Sequence, residues 1–374
     1  MNEWIDRKAA LELLGVKAQT LYAYVSRGRV STQPDPLDPH RSLYRCEDVA
    51  ALAKKRARSR ATAAIAESSM AWGEPAIPTA LSVARHGKLY YRGKDAIELA
   101  RFATLEEIAA LLWNISPPVS FPATNCDVRD PFVALAMMNA TSQSTLLRSG
   151  EHRCRDAAEV VGLLASASGC TPSDEPIHLR LARAWELSDA VAERVRQALV
   201  VMADHDLNAS TFATRVAAST GASMAASVLA GLCALSGPRH GGASAAIMSL
   251  LKQTEDAGPT TALTRWIDHR VGLPGFGHPL YPSGDPRAAL MLEGIVLDPL
   301  MTRICDFVAD TTGELPNCDF AMAALVRCCG LPPEAPFVMF TIGRSVGWCA
   351  HALEQLADGF LIRPRGRYTG ILPE

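Results

Sequence analysis

The chain has 374 residues, of which 48% are apolar and 20% charged, and its formal net charge is −2. Roughly two or three domains fit that length, and the composition is that of a globular protein, which excludes disorder, collagen-like repeats and coiled coil. No run of about 18 apolar residues occurs, and Met1–Asp6 lacks the basic flank and apolar core of a signal peptide, so a cytoplasmic protein with no membrane partner is expected.

Charge is placed unevenly. Residues 1–60 hold 12 Lys and Arg against 7 Asp and Glu, while the remainder is acidic, a sign change that predicts different partners for the two segments. Asp6 is placed to cap a helix over Arg7–Leu14, with Gly15 as its left-handed stop. A short turn then leads to a second helix near Thr20–Ser26, with Leu21, Tyr24 and Val25 inward. A loop rich in proline (Pro34, Pro36, Pro39) and the segment Leu43-Tyr44-Arg45 precede a third helix from about Glu47. Two short helices around a tight turn, then a loop and another helix, predict a helix-turn-helix with a small wing over residues 1–58. The stretch Leu11–Gly28 with Tyr44-Arg45 and Asp48-Val49 resembles the winged helix-turn-helix of the MerR and excisionase type. That resemblance implies duplex DNA as a partner, with Lys17 and Thr20 on or before the reading helix and Arg27, Arg29 and Arg41 near phosphates. Residues 59–78, rich in Ala, Ser and Arg, read as a linker.

From Ala80 onward apolar residues recur at three- and four-residue spacing, as in Ile97, Leu99 and Ala100, then Leu105, Ile108, Leu111 and Leu112. Asp189–Asp204 and Thr211–Ala234 repeat the pattern. Lys88–Arg92 is the one stretch that reads as a short strand. The fold class expected is therefore all-α. No Gly-x-Gly-x-x-Gly or Walker-type loop appears. Ten cysteines are scattered without a Cys-x-x-Cys pair, so neither a zinc site nor a disulfide framework is expected.

Chemistry-bearing residues cluster late in the chain. His205 lies in Asp204-His-Asp-Leu-Asn-Ala-Ser210, and His240 in Arg239-His-Gly-Gly, where glycine lets backbone approach a ligand. His278 lies in Gly275-Phe276-Gly277-His278-Pro279, followed by Asp285-Pro-Arg287. The spacing of these histidines matches no metal-ligand pattern, so no metal is expected. Asp319 begins an apolar helix, whose amides favour an ionised carboxyl. Arg344 stands on an apolar helix that continues through Trp348, His351, Glu354 and Gln355. Arg363 belongs to a basic tail.

In this order, these segments resemble the citrate synthases over most of residues 80–374. The family's fold implies a large helical domain (79–242 and 341–374), a small domain (243–340) that closes over the substrates, and a homodimer. Its reaction condenses acetyl-CoA with oxaloacetate and uses no cofactor beyond the CoA thioester. By this resemblance Asp319 is the base, His240 hydrogen-bonds the thioester oxygen, and His278 protonates the developing alkoxide. Arg287 and Arg344 grip the oxaloacetate carboxylates, Arg363 reaches in from the second subunit, and His205 adds a hydrogen bond. Gly275, Phe276 and Gly277 meet CoA. Pro279 stands where many relatives carry Arg. Use of propionyl-CoA to give 2-methylcitrate, or a DNA-binding regulator with a synthase-like body as metabolite sensor, are the alternatives.

Overall fold

A computed structural model describes residues 3–16, 18–26, 29–36, 38–53, 77–116, 119–124, 126–241, 243–268, 273–365 and 368–370. The chain divides into two units, Met1–Ile77 with Arg365–Glu374, and Pro78–Pro364. Lys17, Arg27 and most of the expected linker lie outside the described residues.

In the first unit, strand β1 (Trp4–Ile5) is followed by helices α1 (Arg7–Leu14) and α2 (Ala18–Ser26) and strands β2 (Thr32–Asp35) and β3 (Asp38–Arg45), and residues 46–53 are again helical. The Asp6 carboxylate accepts from Ala9 N, and Gly15 adopts φ 56°, so α1 has the two ends its sequence predicts. The strands pair antiparallel in the order β1-β3-β2. The expected proline-rich loop is thus a hairpin. Pro34 sits on the edge strand, beside the one register shift, where a missing N–H costs no ladder bond. Ala10, Leu14, Leu21, Val30, Tyr44 and Val49 form this unit's core. Thr20 is half-buried, Arg29 is exposed, and Arg41 pairs with Asp38 at 3.2 Å on the hairpin.

The second unit opens with another antiparallel sheet of β4 (Ser82–Arg85), β5 (Lys88–Tyr91) and β6 (Lys94–Asp95). Each connection is a pair of positive-φ residues, His86-Gly87 and Arg92-Gly93, the twist a two-residue hairpin needs. The two small sheets correct the all-α expectation; the protein is mostly helical, not purely so. Next come α3 (Ala96–Leu99), α4 (Leu105–Trp113), α5 (Pro131–Thr141), α6 (Gly150–Ala167), α7 (Ile177–Ala184) and α8 (Asp189–Met202). After them follow α9 (Ala209–Ser219), α10 (Met224–Leu235), α11 (Ala243–Ala257), α12 (Pro259–Asp268) and α13 (Pro286–Leu292). The chain then forms α14 (Pro299–Thr312), α15 (Cys318–Cys329) and α16 (Ala335–Asp358). The stretch Thr211–Ala234, in which helical spacing recurs, is two helices, α9 and α10. Gly221 turns the backbone to φ 79°, with Leu146 packed where a side chain would stand, and Ser223 caps the restart. Among the described residues, no helix is long and apolar enough to cross a membrane.

Two apolar clusters fill this unit. The larger surrounds α16, in which 15 consecutive residues from Val338 to Ala352 are buried, so the helix is enclosed on every side. Gly343 and Gly347 permit this closeness, since a methyl group on either would press on the carbonyl of Leu199 or Ala203. The smaller cluster joins α11, α12 and α14 through Ile247, Leu250, Leu263, Met301, Ile304 and Val308. Helix α15 serves both: Phe320, Ala323 and Ala324 pack in the smaller cluster, and Ala321, Met322 and Leu325 in the larger. That split is the 3.6-residue period of a helix between two cores.

Candidate active site

The segment Leu273–Asp285 has no helix or strand, and its backbone is held by pairing with residues 315–317. Gly277 N donates to Leu315 O at 2.9 Å, Asn317 N donates to Gly275 O at 2.9 Å, and the Asn317 amide donates to Gly277 O. Gly275 and Gly277 have φ of 88° and 68°, which this path requires. Phe276 turns into the smaller cluster against Phe320, at 5.1 Å between ring centres. Beside the segment lies a cleft of about 510 Å³, lined by Phe276, Gly277, His278, Tyr281, Asp285 and Glu314 among others.

Three rings meet at the end of the segment. His278 stands 5.0 Å from His205 and 4.9 Å from Tyr281, and the Tyr281 hydroxyl lies 2.9 Å from His205 Nε2. Arg287, on the first turn of α13, is buried beneath Tyr281 with its guanidinium 5.5 Å from the ring centre. Its Nε and Nη2 form a two-pronged ion pair with Asp285 at 3.0 and 2.7 Å, leaving Nη1 outside that fork. The pair holds the Asp285 carboxyl below its ordinary range although burial opposes this.

The second wall comes from α8, α9 and α16. Asp204, after the end of α8, is fully buried; its carboxylate accepts from Ser82 Oγ and lies 3.2 Å from His351 Nε2. Arg215 Nη1 stands 3.2 Å from His351 Nδ1 and can only donate, so that nitrogen is the acceptor and Nε2–H points at Asp204. The Tyr91 hydroxyl ties the same turn through Asp204 O at 3.0 Å. Arg344 is 1% exposed, donates from Nε to Met202 O at 2.9 Å, and lies 4.9 Å over Phe340. Its terminal nitrogens have no partner among the described residues. Asn208 caps α9, accepting from Ser210 N and Thr211 N, and with Ser210 meets His240 Nε2.

Electrostatics joins the two walls. Burial pushes His240 and His278 down to about 4, helped by Arg344 and Arg287 respectively. His205 is also driven well below its ordinary value, first by burial and then by both arginines and the other two histidines. All three rings are neutral near pH 7. Asp319, on the first turn of α15, is pushed up to about 6 by burial, against the pull of Arg287 and Arg344. Its Oδ1 is occluded and has no hydrogen-bond partner, since Asn317 takes the local amides as cap.

Of the residues expected from sequence, His205, His240, His278, Arg287, Arg344 and Asp319 therefore share one electrostatic site. Phe276 and Gly277 line the neighbouring cleft, and Gly275 lies behind it against Ile247 and Phe320. Arg363 is exposed after α16 and makes no hydrogen bond or ion pair among the described residues. The sequence reading named Asp204, Ser210 and Trp348 only as neighbours of candidates and gave them, and Tyr281, no role. Asp204 adjoins His205, Ser210 follows it by five residues, Tyr281 follows His278 by three, and Trp348 stands one helical turn after Arg344, the only signal available. Among the described residues, no group of three His, Cys, Asp or Glu side chains could hold a metal.

Residues 151–365, more than half of the chain, match the family profile described as citrate synthase, C-terminal domain. The chain belongs to the citrate synthase family. The citrate synthase of Haloferax volcanii is 30% identical over 341 residues, covering 76% of this chain and 90% of that one. A 2-methylcitrate synthase of Shewanella oneidensis is 33% identical over 186 residues, covering 47% and 50%. The solved citrate synthase of Thermoplasma acidophilum, a ternary complex with carboxymethyl coenzyme A and oxaloacetate, shares the fold. Its TM-score is 0.68 at 24% identity, over 80% of this chain and 95% of that one. The mostly helical body is thus a citrate synthase fold, in a family of acyltransferases.

Proposed function

We propose that the protein is a citrate synthase-type acyltransferase, condensing acetyl-CoA with oxaloacetate to give citrate and CoA. The observation that carries this reading is Asp319: a carboxyl pushed up to about 6, with an unpartnered buried oxygen, in the field of two arginines. An ordinary carboxylate is a feeble base for a thioester methyl group, and a higher pKa narrows that gap. Asp319 takes the methyl proton while neutral His240 donates a hydrogen bond to the thioester oxygen, which stabilises the enolate that forms. The enolate carbon attacks the keto carbon of oxaloacetate, neutral His278 gives its N–H proton to the resulting alkoxide, and the proton taken by Asp319 restores His278. Water then cleaves the citryl-CoA thioester. Arg344, with its terminal nitrogens unengaged, takes one carboxylate as a fork. Arg287 offers its Nη1–Nη2 edge, because Asp285 holds the Nε–Nη2 edge. Arg363 completes the grip from a second subunit, His205 adds a hydrogen bond, and Gly275, Phe276 and Gly277 meet CoA. Residues 243–340 are the small domain that closes over 79–242 and 341–374. No cofactor enters the scheme.

Free-thiol release from acetyl-CoA with oxaloacetate tests the reading. A signal above an Asp319→Asn control supports it, and none sinks it. Faster turnover of propionyl-CoA would instead favour 2-methylcitrate as product.

The first unit supports a second, compatible reading. Two helices joined by a tight turn, a hairpin and a basic excess are the parts of a winged helix-turn-helix that binds duplex DNA through Thr20 and Arg29, with Lys17, Arg27 and Arg41. Arg41 enters that role only by leaving Asp38. Binding of a labelled duplex that weakens steeply with salt is expected, and salt-independent or absent binding removes this reading.

A further inference from the structure

The two buried guanidinium groups of the site are balanced differently. Arg287 has a carboxylate in contact, Asp285 at 2.7 Å, whereas among the described residues no carboxylate touches Arg344. The residues at and after the end of α8 run along the face of α16 from which Arg344 projects. Arg344, Gly347 and His351 share that face by helical spacing, and each meets one of three consecutive residues. Arg344 Nε donates to Met202 O at 2.9 Å, Gly347 N donates to Ala203 O at 3.1 Å, and His351 Nε2 lies 3.2 Å from Asp204 Oδ2. A methyl group on Gly347 would stand 2.7 Å from Asp204 Oδ1. The Asp204 carboxyl is thus wholly buried against α16, one to two turns along from Arg344 and with no direct bond to it.

The two oxygens of Asp204 have different surroundings. Oδ2 accepts from Ser82 Oγ and from His351 Nε2–H, while Oδ1 is occluded and has no hydrogen-bond partner. The carboxyl lies below its ordinary range although burial opposes this, drawn down by His351, Arg344 and Ser82. Burial pulls Arg344 below its ordinary value, and Asp204 is the strongest influence holding it up. We propose that Asp204 is a positioning residue that acts through Arg344. It is a resident counter-charge, held by Ser82 and His351, that balances the guanidinium in the empty site and loosens its grip on a bound dicarboxylate. A dicarboxylate docking on Arg344 enters the field of a fixed anion, so it binds less tightly than the arginine alone would hold it. The consequence for turnover rests on the citrate synthase reading above, in which Arg344 takes a carboxylate of oxaloacetate.

Asp204→Asn isolates the charge. Its amide oxygen can stand at Oδ2 and keep both hydrogen bonds, and its nitrogen then stands at Oδ1, which has no partner to lose. Titration calorimetry is expected to show oxaloacetate binding about 3- to 30-fold tighter in this variant than in wild type. In thiol release, the KM for oxaloacetate falls by a similar factor while the KM for acetyl-CoA is unchanged. Structural damage alone would weaken binding, the opposite sign. Ser82→Ala is the control: it removes one bond to Oδ2 and leaves the charge, so oxaloacetate binding is not tightened. Binding in Asp204→Asn that is unchanged or weaker, or equal tightening by Ser82→Ala, overturns the proposal. Should Asp204→Asn not fold, Asp204→Ser removes the same charge with a smaller side chain and carries the same expectation. The calorimetry needs no turnover. A protein that binds oxaloacetate with these signs and releases no thiol counts against the proposed reaction alone, and a wild-type protein that binds no oxaloacetate overturns both.

Discussion

The two walls of the site are built by different means. On one, Arg344, Trp348 and His351 stand on neighbouring turns of α16, a helix buried all round and packed through Gly343 and Gly347. On the other, His278 and Tyr281 project from Leu273–Asp285, whose path is set by two left-handed glycines, three hydrogen bonds to residues 315–317 and the Asp285–Arg287 pair. A helix in a close-packed core aims its side chains through packing, so damage there registers first as lost stability. A segment without repeating structure aims them through a few directed bonds, so damage registers first in substrate binding and rate. Asp319 lies between, on a helix shared by both clusters.

The largest effect expected is on chemistry. Asp319→Asn removes the proposed base without changing size, and thiol-release kcat is expected to fall by about 10²–10⁴-fold. An equal loss from a remote surface change would erase the distinction. Next, Asp285→Ala leaves Arg287 as an uncompensated buried charge, at a cost of about 3–5 kcal/mol in denaturant unfolding. If the loop wall is instead held by its backbone bonds alone, that variant unfolds near the wild-type midpoint. Arg344→Gln gives up charge-assisted hydrogen bonds of about 1.5–3 kcal/mol, which predicts a KM for oxaloacetate raised roughly 10- to 100-fold. Gly347→Ala presses a methyl group on the Ala203 carbonyl and is expected to cost about 1–3 kcal/mol of stability, measured by melting.

The smallest expected effect is the pH dependence, which separates the groups by sign. The proposed base, Asp319, works only when ionised, so the rate is expected to fall as pH drops through about 6, where His240 and His278, at about 4, are still neutral. For stability, the two histidines bind protons more readily unfolded than folded between their ordinary 6.5 and about 4, so acid in that window destabilises the fold. Asp319 has the opposite sign: its proton is held more tightly in the folded state between 3.8 and about 6, and acid there stabilises. Asp319→Asn should therefore steepen the loss of stability from pH 6 to 4, and a shallower loss would contradict the assignment.

Much of this was legible in the residue order. Asp6 and Gly15 gave both ends of α1, because caps are local chemistry. The six groups sharing the site were found from their local segments and their order along the chain. The proline-rich hairpin was not, since an edge strand tolerates proline only by virtue of its place in a sheet. Nor was the break between α9 and α10: Gly221 is favoured there by its φ of 79°, beside Leu146 from far back in sequence. The contacts of Asp204, Ser210 and Trp348 stayed hidden for the same reason. Their partners lie up to 147 positions away, so no window along the chain contains both halves of the interaction.

The double allegiance of α15 has a further consequence. A helix gripped on opposite sides by two separate bodies of apolar side chains acts as an axle rather than a lever. Turning it enough to re-aim its first residue disturbs both bodies at once. Of the groups that share the candidate site, the carboxyl at 319 is therefore the hardest to steer and the imidazole at 278 the easiest. Selection for a new acyl chain or a new oxo acid would find its room in the glycine-rich segment, with the axle left as it stands.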